Sequence, residues 1–83
     1  MNINKLRRIG IICNLMNDLQ VRKTKDITKH IINKTDRYCC KSTVEKDLHW
    51  MYWELDIEHE GGPDGIKFTD KVDFLKQIEL WIQ

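Results

Sequence analysis

Eighty-three residues make one domain, with a small core that needs neither disulfides nor a metal to hold it. A hydrophobic share of 41% and a charged share of 33% are ordinary for a globular chain and exclude a disordered one. The net charge of +1 hides an asymmetry: residues 1–46 carry eleven Lys/Arg against four Asp/Glu, and residues 47–83 carry three against nine, so a basic half suited to phosphates precedes an acidic half that avoids them.

The first predicted element is a helix over 2–19. Ile3, Leu6, Ile9, Ile12, Cys13, Met16 and Leu19 recur every three or four residues, while Lys5, Arg7, Arg8 and Asp18 lie off that stripe. Gly10 interrupts it, which implies a close approach by another backbone. A short second helix is expected over 24–34, with Thr24 as its N-cap, Asp26 in the first turn, and Ile27, Ile31 and either Ile32 or the stem of Lys34 inward. Lys29 and Lys34 read as a solvated face.

After the polar connection TDRYCC, a third helix spans 41–55. Ser42 followed by Glu45 fits a capping box, and Cys40 is the other candidate for the cap position. Val44, Leu48, Met51 and Leu55 make one continuous apolar face. Trp50, Tyr52 and Trp53 are expected in the core or at a seam with another chain, because stacking platforms for single-stranded bases usually lie on sheets or in grooves. Asp47 is expected to be structural, paired with a nearby basic group or serving as a cap. Alternation in DIEHE and IKFT around GGPDG predicts a two-stranded hairpin over 56–69. A last helix follows over 70–82, capped by Thr69 or Asp70, with an inward stripe of Val72, Leu75, Ile78 and Ile82 widened by Phe74 and Trp81. The order α-α-α-β-β-α predicts an α+β, mostly helical fold: one winged helix-turn-helix domain with an extra C-terminal helix.

The third helix and the hairpin also carry a resemblance. Residues 41–51, KSTVEKDLHWM, resemble the recognition helix of the DeoR-like and WYL-associated winged helix-turn-helix regulators, whose pattern there runs R-T-I-x-R-D-L-x-x-L. Thr43, Val44, Lys46, Asp47, Leu48 and Met51 occupy matching positions, and Ser42 stands where the family has Arg. Residues 56–68 resemble the wing, so the similarity covers roughly residues 22–70. Two features depart from the pattern. The link from Ile32 to Lys41 is longer than the usual turn, and the wing carries Asp56, Glu58, Glu60 and Asp64 in place of a Lys or Arg. The resemblance implies a bacterial or phage DNA-reading head without the family's ligand-sensing domain.

On such a fold the outward side of the third helix carries Lys41, Ser42, Glu45, Lys46 and His49. Lysine donates to guanine O6 and N7, a serine hydroxyl bonds base or phosphate, and Glu45 either accepts from cytosine N4 or serves only the capping box. Thr43 lies in the first turn, where hydroxyl and free amides suit a phosphate oxygen. Arg37 and Tyr38 precede this helix, and Arg22, Lys23, Thr24 and Lys25 precede the second. Both groups are placed to grip the backbone without reading sequence.

Catalysis lacks a motif: there is no P-loop, nucleophile elbow, H-E-x-x-H or dinucleotide turn. Cys13, Cys39 and Cys40 are odd in number and read as reduced thiols. With His30, His49 and His59 they form no ligand spacing, so neither metal nor cofactor is expected. No apolar run reaches membrane-spanning length and no signal-peptide pattern opens the chain, which predicts a cytoplasmic protein without membrane contact. The excess of aromatic residues predicts a homodimer sealed by the first and last helices, with Phe74, Trp81 and Ile82 as anchors. The leading expectation is a dimeric, sequence-specific, double-stranded DNA-binding transcription regulator. The alternative is an interaction module that docks a basic protein partner through its acidic wing and C-terminal half.

Overall fold

The computed structural model describes residues 3–83; Asn2, the expected start of the first helix, lies outside them. The elements are α1 (Ile3–Met16), α2 (Thr24–Thr35), α3 (Lys41–Leu55), β1 (His59–Gly62), β2 (Gly65–Phe68) and α4 (Phe74–Ile82). The architecture is thus α+β and mostly helical, in the order α-α-α-β-β-α expected from sequence.

The three leading helices enclose the core because their apolar stripes converge. Ile9, Ile12, Cys13 and Met16 of α1 meet Ile27 and Ile31 of α2 and Val44, Leu48, Met51 and Leu55 of α3, and Ile57 and Phe68 close one end. Burial without a partner charge pushes the Cys13 thiol up to about 12. Among the described residues Asp47 is the one buried acid. Arg8 of α1 donates to it twice, Nε to Oδ2 at 2.7 Å and Nη2 to Oδ1 at 3.1 Å. These hydrogen bonds hold the Arg8 guanidinium above its ordinary basicity. Asp47 is structural, as expected, and its partner sits 39 positions away on another helix.

α1 stops at Met16, three residues short of the expected end. The side chains of the next residues take other partners, which competes with helix continuation. Asn17 clasps the backbone of Val72, donating from Nδ2 to its carbonyl (2.9 Å) and accepting its N–H at Oδ1 (2.8 Å). Asp18 accepts the Gln20 N–H, and Leu19 turns to a positive φ of 61°. Ile3, at the other end of the stripe, is exposed.

The caps also differ from expectation. Lys23, not Thr24, is the N-cap of α2; Thr24 is already helical, and its carbonyl accepts the Thr28 hydroxyl. At α3 the other candidate, Cys40, is the N-cap in place of Ser42, and the Ser42–Glu45 capping box does not form. Cys40 is extended, its carbonyl takes the Thr43 and Val44 N–H groups, and its Sγ lies 3.1 Å from the Ser42 hydroxyl and 3.2 Å from that of Thr43. α2 and α3 each end on an aspartate in the left-handed region, Asp36 and Asp56, both at φ 54°, a conformation that aspartate tolerates better than most residues. After α3 the Ile57 N–H returns to the Met51 carbonyl at 3.1 Å while the Ile57 side chain is buried. That closure of the helix end keeps residues 56–58 out of the hairpin, so β1 begins at His59.

β1 and β2 pair antiparallel with His59 opposite Phe68 and Gly62 opposite Gly65. A third segment joins them. Arg22, just before α2, forms an antiparallel bridge with Ile66, each N–H donating to the other's carbonyl at 2.8 Å. The hairpin is thereby sewn to the α1–α2 link. Gly65 makes this possible: its φ is +133°, and a Cβ there would lie 2.4 Å from the Arg22 carbonyl oxygen.

α4 starts at Phe74, four residues later than expected, because Asn17 engages both backbone polar groups of Val72 and Asp73 takes the cap, accepting the Lys76 N–H at 3.2 Å. Its inward side is Phe74, Gln77 and Ile78, all half-buried, with Trp81 at the edge and 40% exposed, while Leu75 and Ile82, expected inward, are 77% and 69% exposed. Phe74 is what approaches Gly10: its ring, not a backbone, lies 3.1 Å from where a Cβ would be.

Candidate nucleic-acid interface

The stripe that anchors α3 also defines what it presents. With Val44, Asp47, Leu48, Met51 and Leu55 inward, the helical period turns Lys41, Ser42, Glu45, Lys46 and His49 outward, and all five are exposed. Without a capping box, Glu45 is exposed and makes no ion pair among the described residues. Thr43 is half-buried and its hydroxyl contacts the Cys40 thiol. The two neighbouring hydroxyls bring the Cys40 thiol down to about 7, so a thiolate is accessible at the head of this helix near neutral pH.

The outward face continues past the expected readers. Tyr52 and Trp53, expected in the core or a seam, are exposed and stand edge to face with centroids 5.1 Å apart, and His49 adjoins Trp53 at 6.2 Å. Trp53 lies opposite the buried stripe and Tyr52 on its flank, so α3 carries aromatic surface beside the polar groups expected there. Trp50 is half-buried; its ring receives the Lys5 ammonium at 4.6 Å to the centroid and the edge of Trp81 at 5.5 Å. Between α3 and the hairpin runs a groove of about 400 Å³ that includes Glu45, His49, Tyr52, Trp53, His59 and Ile66. The His59 Nδ1 is buried there without a hydrogen-bond partner among the described residues, and burial, with His49 nearby, lowers its basicity.

The expected backbone-gripping residues divide. Lys23 and Lys25 are exposed beside the start of α2, and Thr24 is half-buried. Arg22 is committed internally: Nη2 lies 2.6 Å from Asp18 Oδ2, and its backbone is in the bridge to Ile66. Arg37 and Tyr38 are brought together with Asn4, Arg7 and Arg8 of α1, a cluster that sequence reasoning missed. The only signal was that Arg7 and Arg8 lie off the apolar stripe. The hairpin and its approach remain acidic: Glu58 just before β1, and Glu60 and Asp64 within the hairpin, are exposed, and Lys67 reaches Glu60 at 3.8 Å.

Of the expected dimer anchors, Phe74 and Trp81 pack in part within their own chain, on Gly10 and Trp50, and Ile82 is exposed. Among the described residues no group of three or more His, Cys, Asp and Glu side chains is arranged to hold a metal ion, and no helix is long and apolar enough to cross a membrane. Comparison with known proteins returned no match to a family model, to a curated protein or to a solved structure.

Proposed function

We propose that this chain is a winged helix-turn-helix regulator that binds double-stranded DNA with sequence preference and acts as a dimer. α3 is the reader and the β1–β2 hairpin is the wing. The observation that carries the reading is the outward face of α3. Two lysines, a serine, a glutamate and a histidine stand exposed on the first half of a helix whose opposite side is anchored in the core. A helix presented in this way fits the major groove and reaches base edges from its N-terminal half. The strand-like bridge from Arg22 to Ile66 supports the wing assignment, since it holds the hairpin against the segment that leads into α2. Extents of 35 × 27 × 19 Å suit two copies on half-sites roughly 34 Å apart, one turn of the duplex.

Selection from random duplexes followed by a salt titration tests this. Binding should weaken along a log–log slope of about −0.9 for each phosphate neutralised. Lys41→Ala and Lys46→Ala should each weaken the selected site more than unrelated duplexes, and Lys25→Ala should weaken all duplexes alike. Absence of binding at low salt, or identical behaviour of the two sets of variants, would overturn the assignment.

A second reading is favoured by one specific observation, the exposed Tyr52–Trp53 pair beside an acidic hairpin. Aromatic surface with few cations is characteristic of protein interfaces, and a basic partner would suit the hairpin. Under this reading Trp53→Ser abolishes partner binding in a chain that shows no affinity for duplex DNA.

A further inference from the structure

The recess shared by α1, the end of α2 and the α2–α3 link measures about 280 Å³ and is lined by Asn4, Arg7, Arg8, Thr35, Arg37 and Tyr38 over a floor of Ile31. Three arginines from two separate parts of the chain line it, and among the described residues no aspartate or glutamate does. Only one is compensated. Arg8 is held from behind by Asp47 through two of its five N–H donors. Arg7 and Arg37 are exposed and form no ion pair among the described residues. Like charges gathered in a concavity repel one another and focus a positive potential within it, an arrangement that an anion relieves.

The chemistry of the lining selects the anion. Planar guanidinium forks match the paired oxygens of a phosphate, and the Asn4 amide and Tyr38 hydroxyl add neutral donors. The Tyr38 ring is 88% exposed, so the phenol is not part of the core and is available at the rim. The recess falls just below the ~300–1,000 Å³ typical of sites for whole small molecules, which favours a single phosphoryl group over a complete nucleotide. Location indicates its source. Arg37 precedes Lys41, the first residue of α3, by four positions, so the two lie no more than about 14 Å apart along the chain.

We propose that Arg7, Arg8 and Arg37, with Tyr38, form a phosphate-binding pocket that takes one backbone phosphodiester of the duplex beside the end of α3 that enters the groove. This rests on the DNA-binding reading and adds α1 to the interface. Arg8 serves both as a ligand and as the tether that fixes the pocket to α3 through Asp47.

The test has two arms. In the first, the whole chain is titrated with inorganic pyrophosphate against sodium chloride of matched ionic strength, and the arginine Nε–H resonances are followed by NMR. Saturable shifts at Arg7, Arg8 and Arg37 that vanish in Arg7→Gln/Arg37→Gln are expected. In the second, the salt dependence of duplex binding is compared for the parent, Arg7→Gln/Arg37→Gln and Lys29→Gln. The double variant should lose about 1 from the log–log slope and weaken equally on all sequences, with a urea midpoint no lower than the parent's, and Lys29→Gln should match the parent. No saturable shift together with an unchanged slope overturns the pocket. Pyrophosphate shifts with an unchanged slope overturn the assignment to the duplex and identify a free phosphate-bearing ligand as the source. Pyrophosphate shifts in a parent chain that binds no duplex overturn the regulator reading and, with it, the duplex as source, while leaving a phosphate site.

Discussion

The contact most open to quantitative attack is Arg8–Asp47. The Asp47 side chain is 3% exposed and that of Arg8 23%, with two hydrogen bonds between them. Removing one member of a fully buried pair costs about 3–5 kcal/mol, because the survivor stays desolvated and unpaired. Here the survivor of Asp47→Ala is Arg8, which already reaches water at the recess and can rehydrate, so the cost falls to about 2–3 kcal/mol. For a chain of this size that lowers Tm by roughly 10–20 °C. Arg8→Met leaves the opposite survivor, a carboxylate beneath the helices with no route to water, and should cost at least as much. The double variant Arg8→Met/Asp47→Leu should recover much of the loss, since an apolar pair of similar volume often replaces a buried ion pair without penalty. Urea denaturation followed by tryptophan fluorescence and far-ultraviolet circular dichroism measures all three. With Asp47→Leu as the matching single variant, the coupling energy is expected to reach about 3 kcal/mol, since the double costs less than either single. A coupling below about 0.5 kcal/mol, the level at which independent sites add, would refute the view that this pair joins α1 to α3.

Other outcomes follow from the same structure. Gly65→Ala should destabilise by about 2–4 kcal/mol, combining a φ reserved for glycine with a clash against the Arg22 carbonyl, whereas Gly61→Ala, whose Cβ would meet nothing within 4 Å, should stay within about 0.5 kcal/mol; equal urea midpoints would refute the bridge. His59 is less basic folded than unfolded, so the unfolded chain binds the extra proton: stability is complete above the ordinary value of 6.5 and declines as pH falls below it. His59→Phe should flatten that decline in urea midpoints measured from pH 7.5 to 5.5, and an identical profile in the variant would reject the cause. Cys40 should react with a disulfide reagent in the folded protein with an inflexion near pH 7, and Cys13 should not react until unfolding. A single common rate for Cys13 and Cys40 would contradict the environments described for them, and Cys40→Ser should abolish the fast phase.

Much of this molecule was legible in one dimension. Helix period alone placed α1, α2 and α3 and the inward stripe Val44–Leu48–Met51–Leu55, because a face buried against neighbours must repeat every three to four residues. Alternation around GGPDG located the hairpin, and the outward set Lys41, Ser42, Glu45, Lys46 and His49 followed as the complement of the stripe. Element ends were less legible. α1 ends where Asn17 finds the backbone of Val72, 55 positions away, and α4 starts late for the same reason. Pattern also failed on α4. Its residues are apolar on more than one side, so periodicity could not choose which side faces the protein, and contact with Gly10 and Trp50 turned Phe74 and Trp81 inward while leaving Leu75 and Ile82 in water.

What the chain determined by itself is therefore what depends on neighbours within a turn or a strand: which residues are helical, which face is apolar, and where charge of each sign is concentrated. What only the tertiary structure decided is which distant groups meet. Asp47 finds Arg8, Arg22 bridges to Ile66, and Arg7 comes to lie beside Arg37. The physical reason is range. Hydrogen-bond periodicity and capping act over a few residues, whereas ion pairing and shared cavities depend on the angle at which helices cross, which no local window contains.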